Sequence, residues 1–488
     1  MIPLLLFACV CAYTLLYYQH VRRYPRGPFP LPLVGNLYHL KSHNLHKAVH
    51  QIGKEYGGCF TLFMPRPVVY FTDHPSIVEA LVTKGEHFAG RSHLPPDSLL
   101  QKRDQIGVVI SDGVLWRELR RISLRILRER GVGKHQMETQ VNGSIDEMMH
   151  QLKATNDGVT PYDIRIPIQL CTGNVINEIL FGFHFAYNDR ARFDHFANCV
   201  SHHLQDIKNN FYVSIVQAWP WTRVLPIIGS RGCERIVSNI SKYHVFIEEE
   251  VAKCAENFDT DQEPANYVQA YLAEMKRNPE LDLENLHAII VDFWIAGVET
   301  TSTTLRWALL LLMKYNDVQD RIRAELHSVV GRGRRIEMAD RPRLPYFQAA
   351  LSEIQRVANM VSFPVAHRCT EDSVIAGKFI PNDTLISPQY YSGNMDDEVF
   401  DKPDEFRPER FLEQDGTVFN KKLSDRLMAF GLGKRVCIGE GLARMELHLV
   451  LGNLLSNYRF EPSSPLDLEP IFGSVLLPKP YKCRVVPI

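Results

Sequence analysis

Apolar and polar positions alternate differently in successive parts of this chain. From Ile2 to Tyr18 nearly every residue is apolar and none is charged, and His20, Arg22 and Arg23 follow directly. As a helix rising roughly 1.5 Å per residue, the run approaches the thickness of a bilayer. Positive charge after the span predicts that the remainder stays on the cytoplasmic side. A cleaved signal peptide is the alternative. Against it, the run is long, lacks a basic leading region and enters Pro25, Pro28, Pro30 and Pro32 rather than a small-residue cleavage site. Those prolines fix φ and form a stiff connector. The predicted organisation is an anchor over 1–21, a proline-rich hinge over 22–36 and one large domain over 37–488.

Helical periodicity dominates that domain. The longest helix is predicted from Asp282 to Tyr315, where Ile289, Ile290, Phe293, Ile295, Leu305, Leu309 and Leu312 recur on several faces. Such a helix should cross the middle of the fold. A further helix is predicted from Glu440 through Leu455. Strands are predicted near Gly58–Phe71, near Asp372–Ile386 and at the C-terminus. The expected class is mainly α with small β-sheets. His43, His46 and His50 recur at helical spacing, but no cysteine or carboxylate completes a metal set, so a solvated helix face is expected.

Composition narrows the function little. Hydrophobic residues make up 45% and charged residues 23%, which predicts a folded core, and the net charge of −1 gives no reason to expect nucleic-acid binding. Ten cysteines at irregular positions, without C-x-x-C or zinc spacing, read as reduced thiols.

The chemistry concentrates in Phe430-Gly-Leu-Gly-Lys-Arg435-Val-Cys437-Ile-Gly439, one cysteine in a glycine-rich loop that opens a helix. Gly431 and Gly433 permit positive φ, Gly439 allows close backbone approach, and the helix start favours a thiolate. Upstream, Ala296-Gly-Val-Glu299-Thr300-Thr301 interrupts the long apolar helix with poor helix formers, which predicts local loosening. Glu353-Ile-Gln-Arg356, Phe406-Arg-Pro-Glu-Arg410-Phe411 and Trp116-Arg-Glu-Leu-Arg120 complete the set.

In their order along the chain, from Trp116 to Gly439, the five motifs resemble the cytochrome P450 family, over essentially the whole chain after the anchor. The resemblance implies the P450 fold and haem b, with Cys437 as its thiolate ligand. Thr300 and Glu299 would serve proton delivery, and Glu353, Arg356 and Arg410 a buried supporting cluster. Trp116, Arg120 and Arg435 are the expected donors to the haem propionates, with His367 beside them and Arg368 as its alternative; Phe430 belongs to the haem-binding loop. The pocket would draw on Ser98–Ile110, residues around Phe211, Phe293–Thr300, Val361–Val365 and Phe472–Leu476.

The implied activity is monooxygenation of a hydrophobic small molecule (xenobiotic, fatty acid or steroid). A haem-thiolate isomerase or peroxygenase and a non-catalytic haem protein are the alternatives. No G-x-G-x-x-G follows a strand, so electrons must come from outside. The resemblance implies an NADPH–cytochrome P450 reductase, with cytochrome b5 as a possible second donor, at the cytosolic face of the endoplasmic reticulum membrane. Seven basic against two acidic residues over Arg117–Lys134, with Lys421, Lys422, Arg426 and Lys434, predict a docking face for an acidic donor. With that topology the sequons at Asn142, Asn239 and Asn382 stay unmodified. The aromatic run Phe211–Pro226 is expected either to touch the membrane or to pack as a lid.

Overall fold

The computed structural model describes residues 1–39, 44–95, 97–131, 135–256, 258–259 and 262–488, without the side chains of 206–209 and 235. The expected Asp282–Tyr315 helix spans Leu283–Lys314. The Asp282 side chain accepts from the Asn285 N–H as its N-cap, and Tyr315 ends it. Most of its side chains are buried, and it packs against the helices Arg165–Phe181, Arg235–Glu256, Pro345–Ala358 and Glu440–Asn457. It therefore forms the axis of one core.

Helical assignment continues through Ala296–Thr301, so the expected loosening is not seen. Gly297 has another use. A Cβ there would stand 2.3 Å from Ile176 Cδ1, so glycine lets the Arg165–Phe181 helix approach the axis.

The strands are short and peripheral. A five-stranded sheet has the order β1-β2-β7-β4-β3, with β1 Cys59–Met64, β2 Arg66–Phe71, β3 Gly90–Arg91, β4 His367–Arg368 and β7 Leu385–Pro388. Two-stranded sheets pair β5 Ser373–Ile375 with β6 Lys378–Ile380, and β8 Tyr458–Pro462 with β9 Cys483–Pro487. Pairing of β3 with β4 sets Arg91 opposite His367. This single contact joins residues far apart in the chain at the site described below.

At the N-terminus Ile2–Val21 is one helix, apolar enough to cross a membrane and with none of its apolar window buried. Its end is held to the domain by the Tyr17 hydroxyl, which donates to the Leu31 carbonyl, and by the Tyr17 ring against Phe63. The expected solvated histidine face is corrected: His46 is buried, edge-on to Tyr391 and stacked on Phe472. Apolar neighbours at that helix face outcompete water for the ring. His43 lies outside the described residues.

Candidate active site

Cys437 is reached from two sides. The 3₁₀ turn Gly433–Arg435 precedes it and the helix Glu440–Asn457 follows at once. Its N–H donates to the Phe430 carbonyl at 3.0 Å, which closes the loop. Gly431 and Gly433 have φ of 73° and 72°, as expected, and a Cβ on Gly433 would stand 1.7 Å from the Leu81 carbonyl oxygen. Gly439, by contrast, has negative φ and open space where a Cβ would lie.

Cys437 keeps accessible surface although protein surrounds it closely enough to disfavour its charged form. Burial pushes its thiol up, and this outweighs the Gly439 N–H and the Arg120 charge that favour the thiolate. The helix start alone does not make this sulfur a thiolate. A cation at the sulfur would supply the missing stabilisation.

Ala296 and Thr300, four residues apart on one face of the long helix, also keep accessible surface, Thr300 between the buried Glu299 and Thr301. The Thr300 hydroxyl donates to the Ala296 carbonyl at 2.5 Å. Glu299 points elsewhere. Its Oε2 accepts from Ser201 Oγ at 3.0 Å and from Gln169 Nε2 at 3.5 Å, and burial raises its pKa against the opposing charge of Arg306. The acid and alcohol, adjacent in sequence, thus serve different sides of the helix.

Three guanidiniums converge beside the cysteine loop. Arg435 donates to the carbonyls of Ala89 and Ser111, Arg120 to that of Val436, and Arg91 to those of Val109 and Val365. None of the three is in a salt bridge among the described residues. Burial, with mutual repulsion from Arg91 and Arg120, pushes Arg435 down to about 8, and burial pushes Arg91 down to about 10. Arg435 lies over the Trp116 ring, and the buried Trp116 N–H has no partner.

His367 is buried next to these charges. Its Nδ1 lies 2.7 Å from the Phe88 carbonyl, and burial, then Arg91 and Arg435, hold the ring neutral. Arg368, next along the strand, is turned away and paired to Asp112 at 2.7 Å. The geometry therefore separates the two alternatives and brings His367 to the cluster. Arg91 was missed in the sequence. It belongs to no motif, and only its strand register opposite His367 could have revealed it.

Such a cluster is built for anions. Buried like charges without carboxylate partners are costly, whereas two carboxylates with planar faces would neutralise them and take the free indole N–H. With the accessible Cys437 and the open space beside Gly439, these residues fit a haem and its two propionates. Phe430 is engaged within the protein itself. Its ring carries the Arg444 guanidinium at 4.8 Å, and its carbonyl fixes Cys437.

Arg356 forms a salt bridge with Glu353 at 2.8 Å and Arg410 with the same carboxylate at 3.0 Å, with the Glu353 and Arg356 side chains fully buried. The expected buried ion-paired cluster is present.

The basic face is less free than its sequence suggests. Arg117 and Lys434 both pair with Glu86, Arg121 with Glu118, and Arg125 with Glu274. Arg128 is exposed without an ion pair among the described residues, and Lys134 lies outside them.

Comparisons with known proteins agree with this architecture. The family model described as cytochrome P450 matches residues 25–485. The chain is 34% identical to cytochrome P450 2C3 of Oryctolagus cuniculus over 494 residues, covering 99% of this chain and 98% of that one. It is 33% identical to cytochrome P450 2H1 of Gallus gallus over 476 residues (95% and 93%) and to cytochrome P450 2E1 of Mesocricetus auratus over 481 residues (95% and 93%).

Proposed function

The chain belongs to the cytochrome P450 family, and we propose that it is the microsomal kind, taking electrons from an NADPH-dependent flavoprotein reductase to oxidise a hydrophobic small molecule. As a member it is a haem-thiolate monooxygenase, and its cofactor is haem b with a cysteine ligand. When bound, the haem supplies the activation of dioxygen and the transfer of one oxygen atom to a C–H bond. The observation that carries the assignment of residues is the group of unpaired guanidiniums beside an accessible cysteine.

Cys437 is the iron ligand, held by its N–H bond to Phe430. Arg91, Arg120, Arg435 and the Trp116 N–H bind the propionates, with His367 packed among them. An anion there would relieve their mutual repulsion and fix the ring plane against the loop. Thr300 donates its proton to the Ala296 carbonyl, which leaves the oxygen lone pairs free to accept from a water at that accessible face. Glu299 faces Ser201 and Gln169, where burial shifts its carboxyl toward the protonated form. Rotation of its side chain away from Ser201 would bring the carboxyl toward Thr300.

The Ile2–Val21 helix anchors the domain to the endoplasmic reticulum membrane on the cytosolic side, with 22–36 as hinge and 37–488 as catalytic domain. Phe211, Trp221, Val224 and Ile227 are exposed on one connector and suit contact with the same membrane. Cytochrome b5 would be a second, acidic donor to the same face.

The test is turnover of a lipid and drug panel by purified haem-loaded protein with purified reductase. NADPH-dependent product, lost in Cys437→Ala, is expected. Product with peroxide alone, or with neither, would overturn the reading.

A further inference from the structure

Glu86 holds two cations of the proposed donor face at once. Its Oε1 lies 2.7 Å from Lys434 Nζ and its Oε2 lies 2.9 Å from Arg117 Nη2. Lys434 is three residues from Cys437, and Arg117 is on the helix that carries Trp116 and Arg120. All three side chains are about half exposed.

The backbone around Glu86 is fixed while its side chain is not. The Thr370 N–H donates to the His87 carbonyl at 2.8 Å, and just upstream Leu81 abuts Gly433 of the cysteine loop. The carboxylate is therefore presented at one place, yet nothing but water-exposed ion pairs holds it there. Such pairs are weak and exchange readily.

We propose that Glu86 is a built-in competitor for the acidic side chains of the electron donor. It occupies Arg117 and Lys434 until carboxylates of the donor replace it, and so sets the strength and salt dependence of docking. The inference rests on the reading of the basic face as the donor site. It names the partner by chemistry: an acidic protein surface with carboxylates spaced to take an arginine and a lysine together. Exposed Arg128, already without an ion pair, would meet the donor first and steer it.

The experiment measures direct binding of purified reductase to the full-length, haem-loaded protein over a range of sodium chloride concentrations. It compares the native chain, Glu86→Gln and Arg128→Glu. Glu86→Gln should bind about three- to fivefold tighter at low salt, the size expected for freeing weakly paired surface charges. The gain should vanish near 0.5 M salt, at roughly which screening reaches only a few ångströms. Arg128→Glu should bind more weakly. If Arg128→Glu weakens binding while Glu86→Gln is unchanged or weaker, the competitor role is wrong and the docking face stands. If neither variant changes binding, the docking face itself is wrong.

Discussion

The guanidinium carbon of Arg435 stands 3.7 Å from the centroid of the Trp116 ring. Arg435 is two residues before Cys437, and Trp116 is on a helix more than three hundred residues earlier. The pair lies within the basic cluster, and the buried indole N–H has no partner. Stacking on the ring also holds the planar fork of Arg435 in one orientation.

Removing only the indole donor tests that pocket. Trp116→Phe keeps a ring under Arg435 but loses the N–H. Haem should dissociate about tenfold faster or more, the loss expected for one hydrogen bond to a charged group. Transfer of haem to an excess acceptor protein measures the rate. Arg91→Leu should behave at least as severely, and an unchanged rate in both variants would remove the propionate assignment.

Proton delivery should fail separately at its two residues. Thr300→Ala removes the hydroxyl on the accessible helix face and Glu299→Gln the titratable carboxyl, while neither touches Cys437. Product per NADPH should drop at least about tenfold, with the missing electrons recovered as hydrogen peroxide. Assaying product, NADPH and peroxide together distinguishes this from simple loss of haem.

The buried Glu353–Arg356–Arg410 cluster predicts a stability effect. Glu353→Ala leaves Arg356 and Arg410 buried without their carboxylate, and breaking such a pair costs about 3–5 kcal/mol. Chemical denaturation should show that loss, whereas Arg121→Ala, in an exposed pair with Glu118, should lie within about 1 kcal/mol of the native chain.

Stability should fall with rising pH because of Glu446. Burial pushes this carboxyl up to about 8, against the hydrogen bond donated by Thr301, and its second oxygen has no partner. The folded pKa exceeds the unfolded one. The unfolded chain therefore gives up its proton first, and stability is lost from the ordinary carboxylate range up to about pH 8. Glu446→Gln should flatten that decline, as read from denaturation midpoints at several pH values. An identical pH profile in both proteins would contradict it.

Membrane topology has its own readout. Asn382 is exposed and Asn142 is buried in the folded domain. With the domain on the cytosolic side, Asn382 should carry no glycan when the protein is expressed in animal cells. Deletion of residues 1–21 should weaken membrane binding without abolishing it, since Phe211, Trp221 and Ile227 remain exposed. Gel mobility after glycosidase treatment and membrane flotation check the two statements.

Much of this was legible in one dimension, because local chemistry writes itself into short spans. Helical periodicity located the long axial helix to within a residue at each end, since its N-cap and its apolar faces are local features. The glycines before Cys437 announced positive φ, and the Glu353–Arg356 spacing announced a pair one turn apart. Gly297 was misread, because its need is set by Ile176 of another helix. His46 was misread for the same reason: its spacing fits a wet face, and only Tyr391 and Phe472 make that face dry.

The sequence by itself determined the motifs, their order and the residue types that haem chemistry requires. Tertiary structure decided which of them meet. It turned Glu299 away from Thr300 toward Ser201, set His367 among the buried guanidiniums while pairing Arg368 with Asp112, and brought Arg91 beside them through a two-residue strand register. It also placed Glu86 across Arg117 and Lys434, so that a run of positive charge became a partly neutralised face. Direction and partnership depend on long-range packing and electrostatics, which act through space and leave no periodicity along the chain.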